Sequence, residues 1–259
     1  MNNHPYHLVD NSPWPLTSSM GLMTLASGAI MWFNKFNLML MTIGMIIILL
    51  TMFQWWRDII RESTYQGKHT NKVMKSMKWG MIMFILSEVM FFTSFFWAFL
   101  HSSLAPSMEI GLQWPPINIK TFNPMYIPML NTMILLSSGI SMTWAHNAIL
   151  NKNYSQVMKS MMITTMLGMY FSILQLYEYM ESPFSISDSI YGSTFFMSTG
   201  FHGLHVMIGT LFIIISMMRI KNLHLSNLHH IGFESSAWYW HFVDVVWLFL
   251  YMMIYWWGS

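Results

Sequence analysis

Seven stretches of mostly apolar residues recur along the chain, and no other feature constrains its fold so tightly. They fall at about 16–33, 36–56, 79–101, 126–148, 157–179, 191–218 and 237–257. The hydrocarbon core of a bilayer is about 30 Å thick, and a helix rising 1.5 Å per residue needs roughly 20 apolar residues to cross it. Each stretch has about that length, so the sequence predicts an all-α polytopic membrane protein with seven transmembrane helices. Charge supports this. Only 8% of the residues are charged, against about 25% in a typical soluble domain. So few charges could not coat a soluble globule of this size, and lipid must cover much of the surface. No repeat or soluble domain interrupts the pattern, so residues 1–259 read as a single membrane domain.

The connections set the expected topology. Arg57, Arg61, Lys68, Lys72, Lys75 and Lys78 fall in one connection, Lys152 and Lys159 flank another, and Arg219 and Lys221 lie in a third. If the helices alternate, these ten of the twelve Lys and Arg share one side. Cytoplasmic-type faces collect Lys and Arg, so the N-terminus is expected inside and the C-terminus outside. Trp55, Trp56, Trp79, Trp114, Trp256 and Trp257 sit near the ends of the stretches, where amphipathic rings settle at headgroup level. A very short turn around Asn34 and Lys35 makes the first two helices an antiparallel hairpin.

Several function classes are excluded. A net charge of +2 without a basic patch gives no footprint for nucleic acid. With no cysteine, thiolate metal sites and iron–sulfur clusters cannot be built from this chain alone. Residues 1–15 carry no Lys or Arg, so neither a secretory signal nor a transit peptide is expected there.

Glu88 is the sharpest chemical signal. It stands mid-stretch, with Phe84, Phe91, Phe92 and Phe95 at helical spacing around it. An ionised carboxylate at such a depth costs about 2.5–3.5 kcal/mol on insertion scales. Either a proton-linked, carboxyl-reactive site or an acid hydrogen-bonded between helices would justify it. On the same helix Gly80, Ser87 and Ser94, with Ala98 and Ser102 beyond, read as a close-packing seam. His202 and His205, and likewise His241 and Asp244, lie at i,i+3 and share a helix face. Paired histidines without further ligands are a weak metal signal, so these four are expected to make interhelical polar contacts and no metal site is assigned. Trp55, Trp56, Arg57, Arg61, Glu62, His69 and Arg219 form a third set. Guanidinium groups pair with phosphate bidentately while Trp rings lie against glycerol and acyl chains, so these seven are expected to bind phospholipid, with ordinary topology-setting charge as the alternative for any one of them.

Long motifs then point to a family. They include Trp55-Trp-Arg-Asp-Ile-Ile-Arg-Glu-Ser63, His101-Ser-Ser-Leu-Ala-Pro106, Thr143-Trp-Ala-His146, Gly200-Phe-His-Gly-Leu-His-Val206 and Trp238-Tyr-Trp-His-Phe-Val-Asp-Val-Val-Trp247. From about Tyr6 to the C-terminus the chain resembles the subunit III family of mitochondrial cytochrome c oxidase. The resemblance implies a 2 + 5 helix arrangement with a lipid-filled V-shaped cleft. It implies a complex that passes electrons from cytochrome c to oxygen with proton pumping. Subunits I and II would hold haem a and copper. This chain would carry no cofactor of its own beyond structural phospholipids, and supernumerary subunits would be further partners. It also implies the mitochondrial inner membrane, with the N-terminus in the matrix and the C-terminus in the intermembrane space. Glu88 matches the family's carbodiimide-reactive carboxyl. Two departures stand out: Tyr65 where many relatives carry Phe, and Asn147 where many carry a second His. The equivalent subunit of a bacterial haem–copper oxidase is the alternative, and a proton transporter built on Glu88 a more distant one.

Overall fold

A computed structural model describes residues 5–258. Those residues form seven α-helices: α1 (Trp14–Lys35), α2 (Met39–Thr64), α3 (Asn71–Leu104), α4 (Ile127–Leu150), α5 (Tyr154–Met180), α6 (Ser189–Lys221) and α7 (Ile231–Leu250). A 3-10 turn lies at Met108–Ile110, and a π-helical stretch, Tyr251–Trp257, continues α7.

Six of the helices are long and apolar enough to cross a membrane, counting α7 with its π extension. The exception is α4, although the apolar stretch at about 126–148 is read from the sequence as a crossing. Its hydropathy is lowered by Asn131, Thr132, Ser138 and Ser141, all buried against neighbouring helices. α2 and α3 run beyond the apolar stretches read from sequence. At 1.5 Å per residue, the 26 residues of α2 span about 39 Å and the 34 of α3 about 51 Å. Both exceed a bilayer core of about 30 Å. Arg57 and Arg61 therefore sit on the last turns of α2, and Lys72, Lys75 and Lys78 on the first turns of α3. Much of what reads as a basic loop is helix.

The chain divides into two compact units at Met77 and Lys78. The first holds the α1–α2 hairpin. α1 ends in a left-handed Phe36 (φ 53°), and Asn37 Oδ1 accepts from the Met39 amide at 3.0 Å to start α2. The reversal thus falls at residues 36–38, just after Asn34 and Lys35. The two helices touch through glycine. A Cβ on Gly28 would lie 2.4 Å from the Met41 backbone nitrogen, and one on Gly44 would lie 2.5 Å from that of Leu25. These are backbone-to-backbone approaches that only a residue without a side chain allows.

In the second unit α4 packs on α5 and α7, α5 on α6, and α6 on α7. Trp240, Trp247, Phe171, Phe195 and Phe233 fill the centre and are fully buried. α3 joins this group through large side chains, with Phe92 set against Phe242 and Phe99 against Tyr191. The expected seam on α3 does not form among the described residues. Gly80, Ser87, Ser94 and Ala98 are exposed, and a Cβ on Gly80 would meet nothing within 4 Å. The hydroxyls of Ser87 and Ser94 bond back to Phe84 and Phe91 of their own helix.

Candidate functional site

Glu88 faces α6. Its Oε2 lies 3.0 Å from His205 Nε2, and His205 Nδ1 lies 2.6 Å from the Phe201 carbonyl. A carbonyl only accepts, so Nδ1 carries a proton. One further proton is then shared along Oε2···Nε2. Whichever atom holds it, the pair has no net charge, which suits an apolar depth. Phe92 packs edge-on against the imidazole at 5.0 Å, while Phe91 and Tyr239 stack at 6.4 and 6.2 Å. Aromatic rings thus surround the pair.

His202 does not share this partner, although it lies one turn from His205. It is fully buried, and its Nε2 lies 3.2 Å from the Val243 carbonyl on α7, with Phe171 and Trp247 around the ring. His241 and Asp244 face each other at 3.7 Å, too long for a hydrogen bond. Space for Asp244 comes from Gly139 on α4, whose Cβ would stand 2.8 Å from Asp244 Oδ2. Between the helices run further polar contacts. Trp240 donates to Ser138 at 2.9 Å, Trp247 donates to Thr132 at 3.0 Å, and Ser141 pairs with Thr164 at 2.8 Å. Thr132, Ser138 and Ser141, which lower the hydropathy of α4, thus make its inward polar contacts, and Asn131 is buried beside them.

One buried acid was missed. Glu178, near the end of α5, is 1% exposed, and Tyr255 and Gln175 turn their polar ends to the same place. In the sequence it stands at the margin of an apolar stretch, where an acid reads as an interfacial residue. Its distance from the stretch's end in the actual helix, which runs to Met180, is equally short. Only the packing of the π-helical stretch over it reveals the burial.

The third set is distributed over both units. Trp55, Trp56, Arg57 and Arg61 are exposed on the last turns of α2, while Glu62 and His69 are half-buried. Asp58 gathers this end of the helix. It accepts from Trp14 Nε1 at 2.7 Å, and Arg57 and Arg61 approach it at 3.3 and 3.9 Å. His7 meets Glu62 at 3.0 Å, and Lys68 pairs with Asp10. Arg219 belongs to the second unit. It lies on the last turn of α6 beside Gly232, whose Cβ would stand 2.8 Å from its Nη1. Nearby, burial and then the Arg219 and His230 charges hold the His229 imidazole below its ordinary pKa.

The fold and these contacts define an all-helical membrane protein whose buried polar groups tie helix to helix. Comparison with known proteins narrows the class. The family model described as cytochrome c oxidase subunit III matches residues 4–259. A cytochrome c oxidase subunit 3 of Locusta migratoria is 60% identical over 258 residues, covering 100% of this chain and 98% of the relative. The subunit 3 of Lycodon semicarinatus is 58% identical over 256 residues (99% and 98%), and that of Pisaster ochraceus 56% over 258 (100% and 99%). The chain belongs to the cytochrome c oxidase subunit III family.

Proposed function

We propose that the chain is the lipid-bearing, non-redox subunit of a cytochrome c oxidase complex of the mitochondrial inner membrane. Electrons pass from cytochrome c to oxygen, with proton pumping, on the haem a and copper of subunits I and II. This chain stabilises that core beside its supernumerary partners and supports proton uptake. Its N-terminus lies in the matrix and its C-terminus in the intermembrane space. α1 and α2 form one arm and the other five helices the second, with phospholipid in a cleft between them and all seven helices crossing the bilayer.

The observation that carries the lipid reading is α2. Little of its apolar length is buried within the chain, with Leu49, Leu50 and Phe53 exposed, and it ends in exposed Trp55, Trp56, Arg57 and Arg61. An uncovered apolar helix closed by indole and guanidinium groups matches the sequence of chemistries in a phospholipid, from acyl chain to phosphate. Glu62, His69 and Arg219 complete the headgroup contacts. The histidines support the non-redox reading, because His202 and His205 are each engaged by a protein carbonyl or by Glu88. The Glu88–His205 pair is the proton-linked group, and its carboxyl is the site of carbodiimide attack. His202, His241 and Asp244 serve packing between helices.

Phospholipid retention tests the proposal. The oxidase carrying Trp55→Ala with Arg61→Ala loses tightly held phospholipid relative to the unaltered complex, counted as phosphorus per haem after delipidation. Unchanged retention overturns the lipid role. Cleavage of the connection at 65–70 by protease from the intermembrane face overturns the topology.

A further inference from the structure

His146, His230 and Glu234 stand together where the last turns of α4 meet the start of α7, and one ligand atom from each lies within 4.8 Å of the others. None of the three takes part in the hydrogen bonds or ion pairs assigned above. We infer that they form a binding site for a divalent transition-metal ion of the zinc class.

The argument starts at His230. Its Nδ1 lies 3.0 Å from the Ser226 carbonyl, which only accepts, so Nδ1 carries a proton. With Nδ1 so engaged, Nε2 is the one ring position left for a ligand, and it offers a lone pair whenever it carries no proton. That atom is buried without a hydrogen-bond partner, on a side chain only 6% exposed. It points at Glu234 Oε1, 3.5 Å away. Two acceptors facing each other at that separation repel unless a proton or a metal cation sits between them, and 3.5 Å is longer than the 3.0 Å at which Glu88 and His205 share a proton. A backbone carbonyl fixing one nitrogen so that the other is free is the arrangement that orients metal-bound histidines.

The distances suit a small cation. Zinc–nitrogen and zinc–oxygen bonds of about 2.0–2.2 Å at tetrahedral angles put neighbouring donors about 3.3–3.6 Å apart. His230 Nε2 and Glu234 Oε1 already stand at 3.5 Å. Only His146, half-buried near the end of α4, needs to swing inward, with its ring now 5.9 Å from that of His230. Lys78 does not compete for the same atom. Its ammonium takes Glu234 Oε2 at 2.6 Å, leaves Oε1 to the ion, and holds the carboxylate in place. Buried Phe233 packs on both imidazoles and walls the site from the helix interior. Two imidazoles and one carboxylate select a borderline ion over magnesium or calcium, which prefer oxygen donors, and leave the fourth position for water.

Zinc itself is the probe. The intact oxidase and a His146→Ala/Glu234→Gln variant are stripped with chelator and titrated against a fluorescent zinc indicator. The unaltered complex takes up one equivalent more than the variant, magnesium in tenfold excess does not displace it, and His241→Gln, outside the cluster, leaves uptake intact. Zinc-edge anomalous diffraction from zinc-soaked crystals of the unaltered complex gives a reading independent of how the variants fold. It places a peak within bonding distance of His230 Nε2. Equal uptake by complex and variant, or no peak at that position, overturns the assignment.

Discussion

Substituting alanine for glycine should have opposite effects at two kinds of site in this protein, and the α1–α2 hairpin supplies the test. At Gly28 the new methyl would lie 2.4, 2.6 and 2.8 Å from Met41 N, Met41 Cα and Leu40 C. At Gly44 it would lie 2.5 and 2.8 Å from Leu25 N and Cα. These are backbone atoms, so no rotamer change relieves them. The shortest contact at each site, 2.4 and 2.5 Å, falls about 1 Å short of the 3.4 Å at which ordinary packing begins, and the helices must part by a comparable amount. Overpacking of this kind costs roughly 1–3 kcal/mol, offset by about 1 kcal/mol of helix propensity gained over glycine. The net loss is about 1 kcal/mol at either site. The double variant loses less than twice that, because helices parted by one methyl already make room for the other. Gly80→Ala meets nothing within 4 Å and keeps only the propensity gain, about 0.5–1 kcal/mol.

Two assays read this. Unfolding of the chain in detergent gives the sign for each variant. Disulfide trapping gives the separation, since the chain has no cysteine of its own. Thr17 and Thr51 place their hydroxyl oxygens 3.3 Å apart across the hairpin, so Thr17→Cys with Thr51→Cys cross-links readily. Adding Gly28→Ala or Gly44→Ala slows that cross-link, and Gly80→Ala does not. If Gly28→Ala and Gly80→Ala stabilise alike, or the cross-link forms at an unchanged rate, the close approach of α1 and α2 is refuted.

Three further outcomes follow from the second unit and the connection before α7. Glu88→Gln keeps a donor for His205 and changes stability by less than about 1 kcal/mol, whereas Glu88→Ala loses the bond and about 1–2 kcal/mol; denaturation of both variants checks the order, and carbodiimide labelling is lost in each. Trp247→Phe leaves the buried Thr132 hydroxyl without its donor and destabilises by about 1–3 kcal/mol, read as a lower melting temperature of the chain in detergent. His229 titrates below the roughly 6.5 of a free imidazole, because burial and the Arg219 and His230 charges disfavour its cation. The unfolded chain binds that proton first, so the contribution is present in full above the unfolded value and is lost as pH falls through the folded one; a histidine NMR titration locates the midpoint, and one at or above 6.5 contradicts the placement.

What was legible in the sequence depended on which solvent each residue meets. Helical class followed from the length of the uncharged stretches, because unsatisfied backbone in lipid leaves a helix as the available form. Which face of each helix turns inward did not follow. In water the buried face is the apolar one, and periodicity reveals it. Here the outward face is apolar as well, as exposed Leu49, Leu50 and Phe53 on α2 and Ile140 on α4 show. The inward face of α4 is instead marked by Asn131, Ser138 and Ser141, the residues that make the helix look least suited to a membrane. Small polar residues were therefore the better guide to the interior, yet they are ambiguous singly. The same reading that fits Ser138 fails for Ser87 and Ser94, which face outward on α3.

Partners across the fold were the least legible. Glu88 announces itself by its cost in lipid, but His205 lies 117 residues away, and only packing joins them. The i,i+3 spacing of His202 and His205 implied a shared environment. A turn of helix on a crowded face was enough to give them α7 and α3 respectively as neighbours. His146 and His230 show the converse. They are 84 residues apart, and they meet because the end of α4 lies beside the start of α7. A lone intramembrane acid thus predicts that a partner exists, through the energy of the alternative, while its identity is set by helix order and register. That is why the substitution that tests Glu88 has to be paired with a readout on His205: an imidazole left with Nδ1 on Phe201 but no acid at Nε2 shifts its own nitrogen resonance, whereas a Glu88 held by any other group leaves that resonance unmoved.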